Sequence, residues 1–112
     1  MDITTTLSIA AVCAALAVGA VGAATLPEPF SVIIAPSTDE HPRNGEGDLI
    51  RLKNGDLFVA YGRWNRGTSD FSPAEIWCKT SSDGGKTWGS ERQLVANEGK
   101  LTTFSVSLLR LK

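Results

Sequence analysis

Between His41 and Trp88 the chain gathers side chains suited to chemistry: Arg43, Glu46, Asp48, Arg63, Asp70 and Asp83. A guanidinium presents a rigid fork that matches a carboxylate, so Arg43 and Arg63 are candidates for holding an anion. Glu46 and Asp48 stand close to Arg43 in sequence and either line the same pocket or cap turns. Asp70 lies in the loop Gly67-Thr68-Ser69-Asp70-Phe71-Ser72-Pro73, where one role for an aspartate is to close an Asx turn. His41, the single histidine, precedes Pro42 in a loop. No His/Cys/carboxylate spacing suits a metal, and no motif calls for a cofactor. Of the two cysteines, Cys13 sits in an apolar leader, so a processed chain keeps Cys78 alone and forms no internal disulfide. Cys78 reads as a small buried apolar residue among strand-like neighbours.

The most specific spacing is Ser81-Ser82-Asp83-Gly84-Gly85-Lys86-Thr87-Trp88, which fits S-x-D-x-G-x-T-W at every specified position. These are the parts of a hairpin turn. The Asp83 carboxylate can accept backbone N–H groups across it, Gly85 can take positive φ, and Ser81 and Thr87 can bond locally. Trp88 is expected to bury its ring against a sheet. This is structural chemistry, and Asp83 is assigned no catalytic role.

Such residues need strands to hold them, and the sequence supplies strands. Apolar residues recur in short runs without helical spacing, so the fold class is all-β. The runs are Asp48 to Lys53, Asp56 to Tyr61, Ala74 to Thr80 and Trp88 to Val95. Asn54-Gly55 separates the first two and predicts a type I′ hairpin turn, a long loop from Gly62 to Pro73 separates the next two, and the Asp83 turn separates the last two. Four antiparallel strands in meander order make one blade of a β-propeller. Before them, residues 25–47 read as an extended entry, with a possible strand from Phe30 to Ala35 and a polar loop from Ser37 to Gly47. The final six residues, SLLRLK, repeat the strand DLIRLK of Asp48 to Lys53 at four of six positions, so residues 96–112 are expected to start a second blade that stops inside its first hairpin.

Residues 1–24 contain the unbroken small and apolar run from Leu7 to Ala24, ending on Gly22-Ala23-Ala24. This suits a signal peptide and hence a secreted, periplasmic or extracellular protein. With no Lys or Arg before it, an uncleaved membrane anchor is the alternative, and that is the single route to a membrane. The net charge of -1, with acids and bases interspersed, gives no reason to invoke nucleic acid.

The motif from Ser81 to Trp88 is that of the Asp box of BNR repeats, and the stretch from Arg43 to Trp88 resembles the first blade of the sialidase (neuraminidase) superfamily. The resemblance implies a six-bladed propeller with this chain as its N-terminal part, and a glycan substrate such as a sialoside or a related acidic sugar. It also implies that Asp70, on the loop after the second strand, acts as general acid/base at the glycosidic bond. Arg43 takes the place of the first of three arginines that grip the substrate carboxylate in the family, though its neighbours Asn44, Gly45 and Glu46 differ from the family's Phe/Tyr-Arg-Ile-Pro. Arg63 is either a second candidate at that face or a surface residue paired with an acid, Glu46 and Asp48 are further candidates there, and Trp64 either stacks on a sugar or packs. The nucleophile, a tyrosine activated by a glutamate, and the other two arginines belong to later blades in the family, so this stretch alone is expected to be inactive. The reading from another class is a non-catalytic BNR propeller that binds carbohydrate or protein.

Overall fold

A computed structural model of the chain describes residues 26–112. The leader read as a signal or anchor lies outside the described residues. No helix among them is long and apolar enough to cross a membrane.

The chain folds as a four-stranded antiparallel sheet in the order β1 (Asn44–Arg51), β2 (Leu57–Trp64), β3 (Ala74–Ser81) and β4 (Arg92–Val95). This is the expected all-β meander, with shifted boundaries. β1 opens at Asn44 instead of Asp48, because a bulge between Gly45 and Asp48 lets the polar residues before Asp48 continue the pairing with β2. Glu46 sits in this bulge with a φ of 53°. β4 is confined to Arg92–Val95, since the residues from Trp88 belong to the turn. The run from Phe30 to Ala35 forms no strand, and neither do the closing residues Ser107 to Lys112.

The β1–β2 turn also differs from the type I′ form. The Gly55 N–H donates to the Leu52 carbonyl at 3.0 Å and the Leu52 N–H to the Asp56 carbonyl at 2.7 Å, leaving Lys53, Asn54 and Gly55 as a three-residue loop. Only Gly55 takes positive φ, 96°, while Asn54 does not. That is the pattern of a turn closed by a glycine bulge, in which one residue supplies the left-handed conformation that the two-residue form demands of both.

Alternation along the strands divides the sheet into two faces. Ala60, Ile76 and Cys78 form the buried cluster of one face, and Phe58, Val106 and Leu108 pack on it. Val106 and Leu108 come from the chain beyond β4, so that segment crosses back over the sheet. Cys78 is a free, buried thiol, as its apolar setting implied. The opposite face carries Tyr61, Arg63, Trp77 and Lys79, which alternate with Gly62, Trp64, Ile76 and Cys78.

Candidate functional site

The site is built at the end of the β1–β2 pair. The Trp64 N–H donates to the Arg43 carbonyl at 3.0 Å, extending the ladder one step past Asn44 and Arg63. This places the Arg43 guanidinium 4.0 Å above the centre of the Trp64 ring, a cation–π stack. Trp64 itself is fully buried, its ring 5.7 Å from that of Phe104 and its indole N–H donating to the Ser69 carbonyl at 3.1 Å. Of the two roles open to Trp64, packing is the one seen. The exposed aromatic ring beside Asp70 is Phe71.

The loop that follows β2 folds back onto this platform. Asn65 N–H donates to the Pro73 carbonyl at 2.8 Å and closes the loop base. Inside it, the Ser72 N–H meets the Ser69 carbonyl at 3.0 Å and the Phe71 N–H meets the Ser69 hydroxyl at 3.2 Å. Ser69 thus makes the local side-chain turn that an aspartate at position 70 could have made. Asp70 is left free of it, and its Oδ1 accepts from Arg43 Nη1 at 2.6 Å. The same Nη1 reaches the Thr68 carbonyl at 2.9 Å, and Nη2 stands 3.5 Å from Glu46 Oε1. Arg43 therefore joins the loop to the β1 bulge, with one carboxylate on either side.

The Asp70 side chain is 65% exposed and that of Arg43 29%. An ion pair this open contributes only ~0.2–1 kcal/mol, so it is not a contact that the fold depends on. The platform under it is another matter, since Trp64 is wholly buried.

The other candidates go elsewhere. Arg63 neighbours Trp64 in the strand and so points to the opposite face, where it stacks 4.7 Å from the centre of the Trp77 ring and pairs with Glu91. Tyr61 donates to the same carboxylate at 3.0 Å, and Lys79 lies 4.0 Å from it. Burial works to raise Glu91, but the hydrogen bonds from Arg63 and Tyr61 and the charges of Arg63 and Lys79 outweigh it and hold the carboxyl below its ordinary range. A tyrosine against a glutamate resembles an activated nucleophile, yet here burial, and then the bond to Glu91, push the Tyr61 phenol far above its usual range. The phenol stays protonated and serves the packing of that face.

Asp48 also has a structural task. It accepts from the N–H of Leu108 and from that of Leu49, each at 2.8 Å, and these bonds, the Leu108 one foremost, hold its carboxyl below the ordinary range. His41 sits behind the platform, its Nδ1–H donating to the Trp64 carbonyl at 3.3 Å. Among the described residues, no three metal-ligating side chains come together.

The Ser81–Trp88 turn forms as its spacing requires. Asp83 Oδ1 accepts from the Thr87 N–H at 2.9 Å and the Ser81 hydroxyl at 2.8 Å, and Oδ2 accepts from the Thr87 hydroxyl at 2.5 Å. The Gly85 N–H donates to Ser81 Oγ at 2.9 Å, with φ at 92°, and the half-buried Trp88 donates its indole N–H to the Gly85 carbonyl at 3.0 Å. The Thr87 hydroxyl first, then the Thr87 N–H and the Ser81 hydroxyl, hold the Asp83 carboxyl well below its usual range. A carboxyl depressed in the folded state gives stability that is fully present above its unfolded value, near pH 4, and is lost as pH falls below that. Asp83→Asn is thus expected to flatten the acid side of a plot of Tm against pH, the wild type losing more between about pH 4 and about pH 2. Parallel plots for the two proteins would show that Asp83 carries no such linkage.

Set beside known protein families, curated proteins and solved structures, the chain matches none of them.

Proposed function

We propose that this chain supplies one wall of a glycoside hydrolase centre of the sialidase type, with Arg43 holding the substrate carboxylate and Asp70 serving as general acid/base. One observation carries the reading: Asp70 Oδ1 lies 2.6 Å from Arg43 Nη1 on an open surface. Residues 27 positions apart meet there without being buried for stability.

The pair suggests how binding and chemistry connect. An acidic sugar that takes the Arg43 fork displaces Asp70 from it. The freed carboxylate takes up a proton from solvent and, as the neutral acid, faces the glycosidic oxygen and gives that proton to the departing group. Glu46, on the other side of Arg43, keeps the guanidinium oriented during the exchange. In this reading the nucleophile and further anion-binding arginines come from other blades of the propeller, and Ser81–Trp88 is the Asp box that shapes this one.

The test is charge selectivity. In the polypeptide that carries the complete centre, Arg43→Lys keeps the charge but loses the fork, and KM for an acidic glycoside should rise about tenfold or more. KM for the matching glycoside with its carboxylate esterified should change little. Equal increases for both substrates would remove Arg43 from carboxylate recognition.

A further inference from the structure

The loop that presents Asp70 is held from three sides, and the third support comes from a distant part of the chain. Trp64 fixes the Ser69 carbonyl and Arg43 the Thr68 carbonyl. Thr102, beyond β4, brings its Oγ1 within hydrogen-bonding reach of the Asp70 carbonyl and to 2.6 Å from the Ser72 carbonyl. A hydroxyl has one proton, which two carbonyls so placed share.

Thr102 is itself fixed. It forms a parallel bridge with Ala74, the first residue of β3, and the next N–H, of Thr103, donates to the Ala74 carbonyl at 3.1 Å. The chain then crosses to β1, where the Val106 N–H meets the Glu46 carbonyl at 3.1 Å and the Leu108 N–H meets Asp48 Oδ2. Residues 102–108 therefore form a strap that touches the acid loop at one end and the β1 bulge at the other. Both sides of Arg43 are referenced to it.

We infer that Thr102 is a positioning residue, whose hydroxyl clamps the Asp70 and Ser72 carbonyls and sets the place of the Asp70 carboxyl over the site. Its catalytic meaning rests on the proposed acid role of Asp70; the clamp itself does not.

Thr102→Val keeps the shape and removes the proton, while Thr102→Ser keeps the proton. Amide hydrogen exchange at Phe71 and Ser72, both bonded inside the loop, is expected to quicken about tenfold in Thr102→Val and to stay within about twofold of wild type in Thr102→Ser. Exchange in β2 and β3 should not change. In the polypeptide with the complete centre, kcat for a natural glycoside should fall about tenfold in the valine variant with KM nearly constant, and recover with serine. Unchanged loop exchange in Thr102→Val, a serine variant as fast as the valine one, or equal acceleration in the strands would each overturn the clamp. If the exchange results hold but Asp70→Ala hydrolyses natural glycosides as well as wild type, the acid reading fails and the clamp stands.

Discussion

Asp70→Ala, in the polypeptide that carries the proposed centre, is expected from the acid role proposed for Asp70 to lower kcat/KM for natural glycosides by about 10²- to 10⁴-fold, the usual range for a general acid. For substrates with an activated aryl leaving group the loss should be about tenfold or less, because such a group departs without being protonated. The contrast between substrates is the informative quantity. A misfolded loop or a lost ion pair would lower both rates together, and equal losses would argue against an acid. The stability cost of this change should be small, since the exposed Arg43–Asp70 pair contributes little to folding.

Trp64→Ala is expected to have the opposite profile, with a large effect on stability. The ring is fully buried and supports three things at once: the Arg43 guanidinium above it, the Ser69 carbonyl beside it and Phe104 across from it. Truncating a buried tryptophan costs ~3–5 kcal/mol. The main buried cluster of this sheet consists of Ala60, Ile76 and Cys78, which offers little to offset such a loss. Denaturant unfolding should show a midpoint shift of that size, together with release of the 65–73 loop. A Trp64→Phe variant should recover much of the stability but not the indole bond to Ser69. A midpoint unmoved by Trp64→Ala would mean that the platform is dispensable.

The sequence made the meander legible because its strands are punctuated by turn chemistry. The spacing from Ser81 to Trp88 specifies its turn almost bond by bond, and Gly55 marks the other hairpin, although its three-residue form differs from the type I′ turn that Asn54-Gly55 predicts. Strand ends were harder to read. The residues Asn44 to Gly47 look like a loop by composition, and they pair with β2 through a bulge that no local pattern announces. The converse holds for Phe30 to Ala35, whose apolar run suits a strand but finds no partner strand.

The site was legible in its parts and not in its arrangement. Arg43 and Asp70 stood out by residue type, but their meeting depends on how the loop folds over Trp64, a long-range packing event. Arg63 had the same claim as Arg43 by type. Strand alternation sends it to the other face, where Glu91 takes it up. Thr102 gave no signal at all, since a threonine beyond the fourth strand acquires meaning only when that strand has paired and the chain has turned back to Ala74.

Arg43 is proposed to exchange Asp70 for a substrate carboxylate. The most direct measurement is an NMR titration of the Arg43 guanidinium and the 67–72 amides with a free sialic acid and, separately, with its methyl ester. The acid is expected to shift both sets of signals together, saturably, and the ester to shift neither. No response to the acid, or an equal response to the ester, would contradict it.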